Sequence, residues 1–286
     1  MSREFEFFRG FLKDRSGLVL APDKQYLLES RLLPVARRAG LMSLADLAAR
    51  LGKPGSDALA VAVTEAMTTN ESFFFRDKTP FDHFKDAMLP ALMGARATSR
   101  RIRIWCAAAS TGQEPYSLVM TANELGPKLV GYRLDILGTD LSSEVLEKAQ
   151  AGVYTQFEVQ RGLPVQLLLK YFEQAGETWR ISPQIRAQVQ FRQLNLLDDF
   201  RHLGQFDIIF CRNVLIYFDN ATKTQVLERM AKMIAPDGYL LLGAAETVVG
   251  LTEAFKPLPD KRGLYVPAPV EAPALARPAL KVVGAR

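Results

Sequence analysis

From about residue 100 onward, short apolar runs alternate with segments of helical periodicity, and that alternation leaves the chain few folds to choose from. Arg101 to Cys106 reads as a strand, Glu114 to Leu125 as a helix, and Tyr132 to Thr139 as a strand. Ser142 caps a helix from Ser143 to Ala151. Strands near Val189 to Leu194 and Asp207 to Cys211 follow, then a helix from Ala221 to Ile234 and a strand at Tyr239 to Gly243. Strands joined by crossover helices run parallel, so the expected fold is a doubly wound α/β sheet, Rossmann-like, with helices on both faces. The unbroken apolar run that ends at Cys211 fits a strand buried on both faces. Ligands of such sheets bind beyond the carboxyl ends of the strands, which places Arg212, Asn213 and Tyr217 where chemistry occurs.

The alternation breaks between about 171 and 187, where Thr178 to Ser182 and Gln184 to Ala187 suggest a small antiparallel β insertion. Ahead of the sheet the pattern is helical. Phe5, Phe8, Phe11 and Leu12 recur at helical spacing before Gly17, and Pro22 opens a second helix carrying Leu27, Leu28, Leu32 and Leu33 up to Gly40. Ser43 caps a third helix that ends at Gly52, and a fourth follows Ser56. The expected organisation is an all-α unit over 1–80, a linker over 81–98, the α/β domain over 99–266 and a tail over 267–286. Four prolines and no aromatic residue between 267 and 278 point to disorder in that tail.

An apolar fraction of 48% and a charged fraction of 23% are those of an ordinary globular protein. The net charge of +5 is compatible with an acidic partner but does not single out nucleic acid. The first residues lack the apolar core of a signal peptide and no stretch is apolar enough to span a bilayer, so no membrane insertion and a cytoplasmic location are expected. Two cysteines and two histidines, without ligand spacing, argue against a metal site. Cys106 and Cys211 end strands that the fold makes neighbours; free thiols are expected rather than a disulfide. His83 and His202 read as structural residues.

Three segments carry chemistry. Cys106-Ala107-Ala108-Ala109-Ser110-Thr111-Gly112-Gln113-Glu114 joins the first strand to its helix with small residues, which let a ligand approach the backbone at a helix N-terminus. With one glycine it is a poor Gly-x-Gly-x-x-Gly, so a ligand without a diphosphate, such as S-adenosylmethionine, is favoured. Asp140 ends the second strand and can accept hydrogen bonds from ribose hydroxyls, while Ser142 remains free to cap the next helix. Thr68-Thr69-Asn70-Glu71-Ser72-Phe73-Phe74-Phe75-Arg76-Asp77 sets three phenylalanines beside a cation, either as a hydrophobic hinge or as a lid carrying Asn70, Ser72 and Arg76.

Thr-Thr-Asn-x-Ser-x-Phe-Phe-Arg, Ala-Ala-Ala-Ser-Thr-Gly-Gln-Glu-Pro-Tyr-Ser and Phe-Cys-Arg-Asn-Val-Leu-Ile-Tyr-Phe-Asp, in this order, resemble the chemotaxis receptor methyltransferases, the CheR family. The resemblance spans about residues 5–266. It implies a protein-glutamate O-methyltransferase that takes its methyl group from S-adenosylmethionine and acts on the cytoplasmic helices of chemoreceptors. Carried over by motif, cofactor contacts fall on Asn70, Ser72, Arg76, Glu114, Asp140, Asn195, Leu196, Arg212 and Asn213. Ser72 stands where the family more often has threonine, and the hydroxyl is kept.

A glutamate carboxylate is ionised at pH 7, with a reference pKa of about 4.3, so its methylation needs no general base. Arg76 and Tyr217 are suited to hold that carboxylate as a charged and a neutral donor, and are the expected catalytic residues. Arg31, Arg37 and Arg38 on the second helix offer a basic face for acidic receptor helices. A nucleic-acid methyltransferase is disfavoured, because no Pro-Pro follows the fourth strand. A noncatalytic module that binds the cofactor or a receptor is the remaining alternative. Some family members tether to a short aromatic-acidic pentapeptide at the receptor C-terminus, by strand addition at the edge of the β insertion. The short loop here, with Glu173 and Glu177, leads to the expectation of no such dependence. A monomer is expected.

Overall fold

The structure is a computed structural model and describes residues 2–269. The expected tail over 267–286 lies outside the described residues from 270 on, and Pro267 itself closes a strand.

Four helices form the N-terminal unit: α1 (Arg3–Ser16), α2 (Gln25–Arg38), α3 (Leu44–Leu51) and α4 (Asp57–Met67). Ser2 and Ser43 accept backbone N–H groups at the starts of α1 and α3, satisfying donors that a helix start leaves free. Phe5, Phe8, Leu12, Leu28, Leu32, Leu47 and Val63 close a separate apolar core.

Residues 81–98, expected as a linker, are helical through Ala95: α5 (Thr79–His83), a π-turn over Phe84–Met88 and α6 (Leu89–Ala95). Phe81, Phe84, Met88, Leu89 and Leu92 are apolar at helical spacing and join the core beneath the sheet. The segment therefore belongs to the sheet domain.

That domain continues through β1 (Arg101–Cys106), α7 (Gln113–Glu124), β2 (Arg133–Asp140), α8 (Ser143–Ala151), β3 (Val153–Thr155), α9 (Gln156–Gln160) and α10 (Val165–Tyr171). Next come β4 (Phe172–Ala175), β5 (Thr178–Ile181), α11 (Pro183–Arg186), β6 (Val189–Gln193) and β7 (Phe206–Cys211). The last elements among the described residues are α12 (Asn220–Ala231), β8 (Ile234–Leu242), β9 (Phe255–Pro257) and β10 (Leu264–Pro267). Seven strands form one sheet in the order β6-β2-β1-β7-β8-β10-β9, with β10 antiparallel to both its neighbours. Winding reverses between β1 and β7, and the crevice at that switch point opens beyond their carboxyl ends.

The insertion is three-stranded, in the order β3-β5-β4. Gln184 to Ala187, expected as a strand, lies instead in and just after α11, because Pro183 at the first helical position fixes a helical φ and needs no donor. The missing strands are β3 and β4, each too short to show an alternation. The helix expected to run to Ile234 stops at Ala231, and Ile234 opens β8.

The helical unit closes over the carboxyl end of the sheet. Val19 N–H donates to the Tyr217 carbonyl at 2.8 Å, Asn195 Nδ2 to the Arg15 carbonyl at 2.6 Å, and Lys13 pairs with Asp219 at 2.8 Å. Glu65 accepts the Ser143 N–H at 2.7 Å. These contacts roof the crevice and make it a cleft.

Candidate functional site

The turn after β1 passes through Ala107 and Ala109 and places Ser110 at a φ of 48°, so its N–H points toward the end of β2. There Asp140 Oδ2 accepts that N–H at 2.9 Å and Oδ1 accepts the Ser142 N–H at 3.1 Å. The Ser142 hydroxyl makes no cap bond, against expectation: Asp140 fixes the Ser142 N–H just ahead of α8, and Glu65 takes the N–H of Ser143, the first residue of the helix. Burial pushes the Asp140 carboxyl above the usual range, and the Ser142, Ser110 and Leu141 N–H groups pull it back. Each oxygen keeps acceptor capacity beyond its one backbone partner.

A second buried group crosses the cleft floor. The Arg212 guanidinium, its side chain 2% exposed, donates to Glu114 Oε2 at 2.7 Å, to Asp77 Oδ2 at 2.8 Å and to the Arg76 carbonyl at 2.9 Å. It joins β7, the start of α7 and the 68–77 segment in one clamp. Burial raises the Glu114 carboxyl, opposed by Arg212 and by the Cys106 thiol. Arg212 Nε is buried and has no partner within the protein.

The three phenylalanines diverge. Phe74 is fully buried, edge-on to Tyr154 at 5.0 Å and Phe172 at 5.5 Å; Phe75 meets Phe81 at 5.2 Å. The Phe73 ring lies under Arg161 at 4.4 Å and Arg76 at 5.6 Å. Phe74 anchors the segment between the two units, and Arg76, donating to the Glu71 carbonyl at 2.8 Å, lines the cleft with Asn70 and Ser72.

Asn70, Ser72, Arg76, Glu114, Asp140, Asn195, Leu196, Arg212, Asn213 and Tyr217 all line one cleft, which encloses about 970 Å³ with the open solvent at its mouth. Asn70 Nδ2 donates to the Thr68 hydroxyl at 3.0 Å, and its carbonyl accepts from the Ser110 hydroxyl at 2.8 Å. Arg31, Arg37 and Arg38 do not reach the cleft lining. Arg31 is bound to the Met67 and Thr68 carbonyls at 3.0 and 2.8 Å, closing the end of α4, while Arg37 and Arg38 are exposed. Cys106 and Cys211 are free, buried thiols that burial pushes up.

Sequence reasoning missed Ser110 and Asp77. Ser110 carried a usable signal, since it is the polar residue of the small-residue turn. Asp77 carried none, because its partner Arg212 is 135 positions away.

The cleft suits a nucleoside with a charged amino-acid arm. Asp140 offers a buried acceptor to ribose hydroxyls, and Leu141, Leu194 and Leu196 give apolar walls. The unpartnered Arg212 Nε is a buried donor. Among the described residues no group of His, Cys, Asp and Glu is placed to hold a metal, and no helix is long and apolar enough to cross a membrane.

A doubly wound sheet with this cleft at its switch point is the architecture of a Rossmann-like, nucleoside-binding domain. Comparison with known proteins narrows the class. The all-alpha domain of CheR methyltransferases matches residues 3–68, and their SAM binding domain matches residues 70–264. The chemotaxis protein methyltransferase of Vibrio parahaemolyticus is 42% identical over 257 residues, 89% of this chain and 92% of that protein. Chemotaxis protein methyltransferase 1 of Pseudomonas aeruginosa is 43% identical over 257 residues, 88% of this chain and 93% of that protein. The chain belongs to the CheR methyltransferase family.

Proposed function

We propose that this enzyme methylates glutamate side chains on the cytoplasmic helices of chemoreceptors, forming glutamyl methyl esters. One observation carries the reading: each carboxylate lining the cleft is tied to donors of the protein, and the acceptor capacity that Asp140 keeps goes to the ribose hydroxyls. Glu114 is bound to Arg212 at 2.7 Å, Asp140 accepts two backbone N–H groups, and Glu71 pairs with Arg161 at 2.6 Å. Neither His83 nor His202 lines the cleft. An alcohol or ammonium acceptor needs a base to remove its proton, whereas a glutamate carboxylate arrives as the anion. The curated relatives are named chemotaxis protein methyltransferases, which supports a protein of the chemotaxis system as the methyl acceptor.

Bound S-adenosylmethionine supplies an electrophilic methyl group on a sulfonium centre. The protein's task is to bind, orient and exclude water. Asp140 takes the ribose hydroxyls; Asn70, Ser72, Glu114, Asn195, Leu196, Arg212 and Asn213 complete the cofactor contacts. Arg76 and Tyr217 hold the acceptor carboxylate ionised, as donors that do not give it a proton. Arg37 and Arg38 attract acidic receptor helices, with Arg31 committed to the fold. The protein acts as a monomer in the cytoplasm and without a peptide tether.

The test is transfer of labelled methyl from S-adenosylmethionine to receptor-bearing membranes, followed by mild alkali. A methyl ester releases the label as methanol. Label that survives alkali would mean another acceptor, and no label in a protein that binds the cofactor would mean a noncatalytic module.

A further inference from the structure

Glu246 stands outside the cleft lining, just past β8, yet its carboxylate gathers four backbone N–H groups. Oε2 accepts from Asn213 at 2.8 Å and Gly243 at 2.7 Å; Oε1 accepts from Val214 at 3.0 Å and Ile216 at 3.2 Å. A carboxylate has about four lone-pair sites, so its acceptor capacity is filled, and bonds to a charged acceptor are the stronger kind. Three of the donors belong to one short segment, the one that carries Asn213 and Tyr217.

That segment needs holding. Asn213 sits at a φ of 58°, in the left-handed region, a conformation that persists where the surroundings impose it. The neighbouring Gly243 is cut to the same geometry. A Cβ there would lie 2.6 Å from Glu246 Oε2 and 2.9 Å from the Asn213 nitrogen, closer than real contacts allow. Glycine, carboxylate and strained asparagine form one interlocked unit behind the cleft wall.

We propose that Glu246 is a positioning residue for methyl transfer: its carboxylate pins residues 213–217 so that the Asn213 side chain meets the cofactor and Tyr217 meets the acceptor. This rests on the placements of Asn213 and Tyr217 proposed above. Glutamine would turn an amide N–H₂ toward two backbone donors, and aspartate would fall one methylene short.

The test is a double-mutant cycle with Glu246→Gln and Asn213→Gly, read by calorimetric S-adenosylmethionine affinity and by kcat, well below the unfolding midpoint. Glycine keeps the left-handed backbone and removes only the side chain. Glu246→Gln is expected to weaken cofactor binding and lower kcat, each about tenfold, the scale of one lost hydrogen bond to a charged group. In the Asn213→Gly background its further effect on affinity should fall below about twofold, since the carboxylate acts through a side chain already gone. Glu246→Asp, which keeps the charge but falls one methylene short of the four donors, should reproduce both losses and carries the test if Glu246→Gln does not fold. Wild-type affinity and kcat in Glu246→Gln, or fully multiplicative effects in the double mutant, would overturn the proposal. Wild-type affinity in Asn213→Gly alone would instead overturn the placement of Asn213 and, with it, this route.

Discussion

Burial and function act in opposite directions on Asp140. Its place at the end of β2 removes the carboxylate from water, which raises its pKa, while its proposed use as an acceptor for cofactor hydroxyls favours the ionised form. Because the shift is upward, protonation sets in at a higher pH than for an ordinary aspartate of about 3.9, and affinity is lost as pH falls rather than as it rises. Calorimetry at successively lower pH should show S-adenosylmethionine affinity declining toward acid, with the decline setting in above the pH at which an ordinary aspartate would cause it. Asp140→Ala should lower it by about 1–3 kcal/mol at neutral pH and flatten the slope. An equally steep decline in a folded Asp140→Ala would assign the titration elsewhere. Tyr217 allows a cleaner separation of roles. It lines the cleft beside Asn213, and its only bond to the helical unit is through its carbonyl, so the hydroxyl is spared for the acceptor. Tyr217→Phe should reduce kcat by about 10- to 100-fold, the loss of one hydrogen bond to a charged group, with cofactor affinity kept. Arg76→Ala should lower both, since Arg76 lines the cleft and is proposed to meet both ligands. A wild-type kcat in Tyr217→Phe would remove the hydroxyl from the reaction.

Between elements, the 68–77 segment is held at fixed points, and one of them is open to a sharp test. Gly162, between α9 and α10, has a φ of 83°, and a Cβ there would stand 2.1 Å from the Phe74 carbonyl oxygen. Backbone cannot yield as a side-chain tip can. Gly162→Ala should therefore cost stability by about 1–3 kcal/mol, through positive φ and overpacking together, and should loosen the segment that carries Asn70 and Arg76. Thermal unfolding with and without S-adenosylmethionine is the measurement; an unchanged midpoint would show that the contact is not tight. What the sequence disclosed at this scale follows from locality. The helix ends at Gly17 and Gly52, the strand Arg101–Cys106 and the cleft-facing ends of β2 and β7 were legible, because caps, periodicity and apolar runs are written in neighbouring residues. The strands β3 and β4 were not, since three or four residues show no period, and their pairing with β5 supplies what propensity lacks. The clamp of Arg212 on Glu114 spans 98 positions and the grip of Glu246 on Asn213 spans 33, distances at which only the folded chain brings charges together.

Across the whole molecule, the catalytic cleft and the β insertion are separate stations, and receptor capture depends on which of them does the binding. Strand addition needs a free sheet edge with unpaired backbone groups and side-chain pockets along it. Here β4 is one edge of the three-stranded insertion, four residues long, and it turns into β5 through Gly176 and Glu177 alone. Phe172 at its start is buried against Phe74, so the edge cannot shift to receive a partner without disturbing the segment that carries Arg76. Glu173, Gln174 and Ala175 are exposed along that edge, and Glu173 and Glu177 present like charge to an acidic peptide. Arg37 and Arg38 are exposed, and the docking proposed for acidic methylation helices falls on their charge instead. Calorimetry with the free aromatic-acidic pentapeptide should accordingly give a Kd weaker than about 100 μM, less than about 5.5 kcal/mol of binding. Receptors truncated before the peptide should be methylated at the full-length rate, with a KM that rises with salt as exposed charges are screened. Micromolar binding of the peptide, or loss of methylation on truncation, would place capture at the β4 edge after all and make the short turn no obstacle to it.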